Sequence, residues 1–173
     1  GAYLRECNLY EANLSGAHLE GPNLMYADLW RADLRLSFFS NATRLNRAKL
    51  GGKTQDGASF ADAHWEGTNL SVVDWTSVKT LGDEQKARHI KPIRPFRYRA
   101  AARANRQLSI ALREQGLTEE ADHFAYRAQK LQRVVWRHQS RWLKYIFSWF
   151  LYLLAGYGYR PGRSLIAYLL LII

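Results

Sequence analysis

Histidine, cysteine and carboxylate side chains are the residues that could carry out catalysis or hold a metal in this chain. The five histidines and the single cysteine are widely separated: His18, His64, His89, His123, His138 and Cys7. None of them has the short spacing at which metal ligands recur. The sequence also lacks a phosphate-binding glycine loop, a dinucleotide fingerprint and a nucleophile elbow. We therefore expect no catalytic residue, no metal, no cofactor and a protein that is not an enzyme.

Binding chemistry is instead concentrated towards the end of the chain, where basic and aromatic residues alternate with aliphatic ones. Four cations recur at helical spacing between Arg133 and Lys144, which predicts a basic stripe beside an aromatic face. This composition is typical of a helix in the headgroup layer of an anionic membrane. We predict a membrane-surface contact made by these residues: Arg133, Trp136, Arg137, Arg141, Trp142, Lys144, Tyr145, Trp149, Tyr152, Arg160 and Arg163.

Two other interpretations of the basic and aromatic residues stay open. Basic residues with aromatics also suit single-stranded nucleic acid, although that reading does not explain the continuous apolar run that follows. The same pattern also fits an amphipathic helix buried in a soluble domain. We expect no nucleic-acid partner.

The charge of the chain divides it into two parts. The net charge of +10 is made up of −2 over residues 1–78 and +12 over residues 79–173. A basic second half with many aromatic residues favours a membrane surface. The single cysteine excludes an internal disulfide and fits a reducing compartment.

The acidic part contains a repeat of five residues. Leucine occupies every fifth position from Leu4 to Leu34, Phe39 continues the series, and a smaller residue lies two positions before each. The register slips by one near Asn41, breaks in the sequence GGKTQDG, and returns at Phe60. A period of five fits neither a helix nor a strand. It fits a coil in which each side points one large and one small residue inward, with successive coils stacked about 4.8 Å apart.

This repeat resembles the pentapeptide-repeat family, whose pattern is A-(D/N)-L-x-x, over about residues 2–78. The resemblance implies a right-handed quadrilateral β-helix with four pentads per coil and about four coils. Some proteins of this family mimic DNA and bind type II topoisomerases, but a charge of −2 argues against that role. The outward positions instead carry aromatic and apolar residues that we predict as a patch for a protein partner: Tyr10, Met25, Tyr26 and Trp30.

The region after the repeat has a helical pattern. Pro92 and Pro95 interrupt any helix, which predicts a linker over residues 79–95. Small and apolar residues then recur at helical spacing on both sides of Gly116, which predicts an antiparallel α-helical hairpin over residues 96–132. It resembles a single tetratricopeptide-like unit, or it is a spacer between repeat and membrane.

The last forty residues predict a membrane-directed end. We expect an amphipathic interfacial helix and a glycine-rich turn over residues 133–159, and the start of a transmembrane helix over residues 160–173 that continues beyond Ile173. The GYG of the turn is not expected to be a channel filter, because it precedes the span and follows Leu-Ala instead of Thr-Val. A bend from the membrane surface into the bilayer explains it better.

The order of these parts resembles bacterial pentapeptide-repeat membrane proteins of the two-span ion-channel type. The resemblance implies a tetrameric cation channel with its solenoid in the cytoplasm, where the positive-inside rule also places the arginine-rich region. We therefore expect a membrane-anchored protein–protein interaction module, the cytoplasmic part of such a channel. The alternative is a non-conducting scaffold or accessory subunit that docks on a larger membrane complex. Partners would be anionic lipid headgroups and a protein or further copies of the chain.

Overall fold

The computed structural model describes residues 2–52, 57–89, 94–139 and 142–155. Short parallel strands in the first part are followed by helices in the second. The regular elements are β1 (His18–Leu19), β2 (Phe38–Phe39), β3 (His64–Trp65), a 3-10 turn (Trp75–Ser77), α1 (Gly82–His89), α2 (Pro95–Glu114), α3 (Thr118–His138) and α4 (Trp142–Ala155).

The strand pairing is that of a β-helix with four sides per coil. Asn8 pairs in parallel with Asp28, 20 residues later, and Asp28 pairs with Lys49. Strand β2 pairs with β1 at the same interval of 20 residues and with β3 on its other side. Since 20 residues are four pentads, each pentad forms one side. Three coils and part of a fourth result, and the N-terminal β-helix predicted from the repeat is confirmed; its right hand stays a prediction.

In several pentads an asparagine or aspartate side chain fixes the turn at the corner. Asn8 Oδ1 accepts a hydrogen bond from the backbone N–H of Tyr10, and Asp28 Oδ1 accepts one from Trp30. The residues directly after Tyr10 and Trp30 adopt a left-handed conformation, with φ of 58° at Glu11 and 59° at Arg31. This conformation costs roughly 1–2 kcal/mol for a residue with a side chain. The carboxamide or carboxylate that fixes the turn offsets part of that cost.

The inward columns form the core. The large column is fully buried in the second and third coils, at Leu24, Leu29, Leu34, Phe39, Leu45, Leu50 and Phe60. The small column is buried beside it at Ala27, Ala32, Ser37 and Ala58. Leu4, Leu9 and Leu14 of the first coil are only partly buried, because no coil lies beneath them. The core is therefore densest away from the first coil.

The helical region covers the other end of the β-helix. Leu108 and Leu112 of α2 and Phe124 of α3 belong to the same buried cluster as the coil leucines. The Phe124 ring meets Trp75 of the last coil edge-on, with centroids 6.0 Å apart. The open end of a solenoid exposes apolar side chains and unpaired backbone groups, so a cap is required. Here α2 and α3 supply it.

Polar side chains of the helices replace the next coil as hydrogen-bond partners. Gln115 accepts from the backbone N–H of Leu70 at 2.8 Å and donates to the carbonyl of Thr68 at 2.7 Å. Asp83 of α1 accepts from the N–H of Phe60 at 2.5 Å. An unpaired buried backbone group costs about 1–3 kcal/mol, so each of these contacts removes a sizeable penalty.

Two predicted boundaries differ from the structure. Residues 79–95, expected as a linker, contain α1, which is held by its buried Glu84 to Arg127 of α3 at 2.8 Å. Pro95 begins α2, because the first turn of a helix needs no N–H from that residue. The hairpin does not end at residue 132: α3 runs to His138, since Leu131 and Val135 still pack on α1 and α2. The predicted basic stripe is therefore divided between α3 and α4.

Asp83 should make folding stability depend on pH. Burial raises the pKa of Asp83 to about 6, although the N–H groups of Phe60 and Ala61 oppose the shift. The raised pKa means that its contribution to stability is present below about pH 4 and is lost as the pH rises through 6. We expect the free energy of unfolding of wild type to fall by up to about 3 kcal/mol over that window from this residue.

Urea unfolding between pH 4 and pH 7 tests this expectation. In Asp83→Asn the neutral amide oxygen can still accept from Phe60, so the variant should be more stable than wild type at pH 7 and lack this part of the slope. Identical pH slopes in the two proteins would contradict the assignment.

Candidate membrane-surface site

The predicted membrane contacts lie on α3 and α4, which the core of the helical region positions. Val135 of α3 is buried in a cluster with Tyr98 and Ala101 of α2. Because Val135 points into this core, the next two residues, Trp136 and Arg137, point away from it on other faces of the helix. Trp136 is half-buried and Arg137 is exposed. The last turns of α3 therefore present a cation and an indole away from the hairpin core.

The first part of α4 presents a large apolar surface. Leu143 is 85% exposed, Trp142 68% and Ile146 58%, and Phe147 is exposed as well. Ser148 is buried instead, on the side of α4 that faces the protein. Side chains at positions i, i+3 and i+4 share one helix face, so Leu143, Ile146 and Phe147 form one patch. Sequence reasoning did not select Leu143, although its spacing to Ile146 and Phe147 was the signal that could have found it.

Aromatic contacts tie α4 to the end of α3. The guanidinium of Arg133 lies 5.0 Å from the centre of the Trp149 ring. The Trp149 indole N–H donates to the hydroxyl of Tyr145 at 3.0 Å. A cation over an indole ring contributes roughly 0.5–1 kcal/mol at an exposed site. Arg133 and Trp149, both predicted as lipid contacts, therefore also hold the two helices together.

A cavity of about 220 Å³ lies where α3 ends and α4 begins. It is lined by Trp136, Arg137, Trp142 and Tyr145, which we call the junction cup. The rings of Trp142 and Tyr145 meet edge-on, with centroids 6.3 Å apart. The cup combines one guanidinium with three aromatic walls, and the described residues that line it include no carboxylate.

Part of the predicted contact set cannot be placed. Lys144 is exposed on α4 and faces solvent. Arg141, Arg160, Arg163 and the side chain of Tyr152 lie outside the described residues, as do the GYG turn and the predicted transmembrane start. Within the ranges described, none of the helices has both the length and the apolar character needed to cross a bilayer.

The predicted partner patch of the solenoid consists of aromatic rings that are paired with cations. Tyr26 lies between two guanidinium groups, with Arg5 at 5.7 Å and Arg47 at 5.8 Å from its ring centre. Tyr10 and Trp30 occupy equivalent positions of consecutive coils, close to Arg31 and Lys49 respectively. Met25 precedes Tyr26 and is half-buried. Because each pentad forms one side, Tyr10 and Trp30 share a side of the solenoid, whereas Met25 lies on the neighbouring side and Tyr26 at the turn between the two.

A second, larger cavity lies between the solenoid and α1. Its volume is about 660 Å³, and it is lined by Glu11, Asn13, Arg31, Asp33, Gly57, Gly82, Gln85, Lys86 and His89. Arg31 pairs with Glu11 at 2.7 Å, and Lys86 approaches Asp33 at 3.7 Å. Burial opposes ionisation of Asp33, but Arg35 and Lys86 outweigh it and hold its pKa below the usual range. The charges in this cavity therefore largely neutralise one another.

The histidines are distributed over the solenoid and the helices. In the described ranges no three histidine, cysteine or carboxylate side chains come together as a metal site. His18 and His64 stack on either side of Phe38 on the outside of the solenoid, at 5.0 and 4.5 Å. Burial lowers the pKa of His123, which contacts the carbonyl of Lys79. Each of these contacts joins coils or helices.

Comparison with known proteins identifies the repeat. No curated protein and no solved structure gives a significant match to the chain. Residues 2–41 match the family described as Pentapeptide repeats, in eight copies. Eight pentads of that match are the first two coils of the structure. The first two coils of the β-helix are therefore similar to pentapeptide repeats.

Proposed function

We propose that this chain is a non-enzymatic, membrane-anchored protein–protein interaction module, the cytoplasmic part of a channel-type membrane protein of the bacterial two-span kind. The observation that carries the proposal is the exposed apolar patch of α4, formed by Leu143, Ile146 and Phe147, beside the cations of α3. In this proposal the solenoid lies in the cytoplasm, the whole protein is a tetramer, and α4 rests on anionic lipid.

The energetics of the patch support a membrane surface. Burying an aliphatic or aromatic side chain contributes about 1.5–3 kcal/mol, so the three patch residues together favour an apolar partner strongly. Each lysine or arginine close to an anionic surface adds on the order of 1 kcal/mol. The exposed apolar side chains of α4 lie on one face of the helix, while Ser148 faces the protein. An orientation parallel to the surface fits this arrangement.

The charge distribution supports the orientation. Residues 79–173 carry +12 and residues 1–78 carry −2. Arg133, Arg137 and Lys144 lie at the end of the described helices next to the proposed surface. Cytoplasmic membrane leaflets are anionic and attract such a region, and an excess of arginine marks the cytoplasmic side.

The alternative is a scaffold or accessory subunit that docks on a larger membrane complex and conducts nothing. The exposed rings of Tyr10 and Tyr26 favour docking, because tyrosine and arginine are enriched at protein interfaces and each ring lies beside an arginine. Both functions share the membrane surface and the solenoid platform. They differ in whether a pore is present in the complete protein.

The test is binding of the 173-residue chain to lipid vesicles. We expect tight binding to vesicles containing phosphatidylglycerol, a blue shift of tryptophan emission, and weakening by salt because the attraction is partly electrostatic. Ile146→Ser should reduce the affinity by about tenfold, since a largely exposed isoleucine would no longer enter the interface.

Ile110 gives a matched control. It is 53% exposed on α2, close to the 58% of Ile146, but lies near the solenoid end of the hairpin. Ile110→Ser should leave vesicle affinity unchanged. Equal losses in both variants, or equal affinity of wild type for neutral and anionic vesicles, would contradict the proposal.

A further inference from the structure

The junction cup has the chemistry of an anion site. Arg137 is the one charged side chain among the described residues that line the cup, and none of the described carboxylates pairs with it. Three other arginines of the helical region are directed at protein carboxylates: Arg103 at Asp62, Arg113 at Asp122, and Arg127 at Glu84. The side chain of Arg137 instead lines a cavity whose other described walls are aromatic.

We propose that the junction cup binds the phosphodiester of a single lipid headgroup, an inference that rests on the proposed membrane-surface function. A guanidinium presents its N–H groups in a planar fork that matches two oxygens of a phosphate. The walls formed by Trp136, Trp142 and Tyr145 are aromatic, so a membrane covering the cup would reduce the access of water and strengthen that contact. Tryptophan and tyrosine also prefer the level of the headgroups, with the ring in apolar surroundings and the polar end in water.

The position of the cup fits a lipid better than a free anion. Trp142 is both a wall of the cup and the first residue of the exposed apolar stretch of α4. A lipid whose phosphate sits on Arg137 can therefore extend its acyl chains along Leu143 and Ile146. The cavity of about 220 Å³ accommodates a headgroup but not the chains, which remain outside on the apolar patch.

The experiment compares two variants that remove the same charge. Arg137→Gln removes the guanidinium of the cup, and Lys144→Gln removes an exposed cation of α4 that does not line it. With vesicles of phosphatidylcholine and phosphatidylglycerol, we expect a loss of about 30-fold or more for Arg137→Gln, because a charge-assisted hydrogen bond is lost. Lys144→Gln should lose about fivefold, the effect of one diffuse surface charge.

A further variant and two soluble phosphate compounds distinguish a lipid headgroup from other sources of phosphate. Arg137→Lys should recover only part of the affinity, since an ammonium keeps the charge but not the fork. Glycerophosphoglycerol should change the tryptophan emission of wild type but not of Arg137→Gln, and inorganic phosphate should do so much more weakly. Unchanged thermal melts of the variants show that the fold is intact.

The outcomes distinguish the proposed headgroup site from the proposed membrane-surface function. Equal losses for Arg137→Gln and Lys144→Gln would overturn the cup while leaving membrane binding in place. Inorganic phosphate binding as well as the diester, or Arg137-dependent binding of an oligonucleotide in place of vesicles, would also overturn it. A wild type that binds no vesicle would contradict the proposed function and this inference together.

Discussion

Replacing Phe124 with alanine is expected to lower the free energy of unfolding by about 3–5 kcal/mol, the range for deleting a fully buried phenylalanine. Phe124 is completely buried and meets Trp75 of the last coil edge-on. It belongs to the hydrophobic cluster that continues from the solenoid into α2 and α3. Its loss leaves a cavity between the last coil and its cap, which the coil cannot close because its position is fixed by the coils below.

Urea unfolding followed by circular dichroism measures this effect, and Phe96→Ala is the control. Phe96→Ala removes the same group of atoms from α2, but the Phe96 side chain is largely exposed. We expect a change within about 0.5 kcal/mol for Phe96→Ala. Similar stabilities for Phe124→Ala and Phe96→Ala would show that the helices do not cap the solenoid.

Enlarging the small inward column is expected to destabilise the solenoid itself. Ala32 is fully buried, and the columns of large residues on either side of it leave no room for three further carbon atoms. Ala32→Leu should therefore cost about 1–3 kcal/mol through overpacking, and more if the coil cannot widen. A thermal melt of the full chain measures the loss.

The same column provides its own control in the first coil. Ala12 lies one coil below Ala32, where no further coil covers it, and it is only partly buried. Ala12→Leu should cost clearly less than Ala32→Leu, because its side chain can turn towards solvent. Equal melting temperatures for wild type and Ala32→Leu would contradict the conclusion that the small column points into the core.

Capping links the solenoid to the proposed membrane surface. The pair of α2 and α3 closes the β-helix at one end through Gln115 and Phe124, and carries α4 at the other end through Arg133. Both helices are about 30 Å long at 1.5 Å per residue. In the proposed function, a partner bound on the solenoid would thereby be held at a fixed distance from the lipid layer.

The five-residue period determined the solenoid from sequence alone. Leu24, Leu29 and Leu34 recur without interruption, and a repeated local pattern specifies the same side in every coil, so stacking follows from it. The hairpin around Gly116 was also predictable, because helical spacing and a glycine at the turn are local signals; the structure gives that glycine a φ of +79°.

Only the tertiary structure decided how these parts join. The segment containing Asp83 reads as a polar linker that ends in two prolines, yet its carboxylate replaces a backbone partner for Phe60, 23 residues away. The sequence predicts one stripe of Arg133, Arg137 and Lys144. In the structure α3 ends at His138, between Arg137 and Lys144, and Val135 is its last residue in the hairpin core. The junction cup forms across that break, from residues whose proximity depends on the angle between two helices. Contacts of this kind depend on packing between elements, which periodicity within one element does not encode.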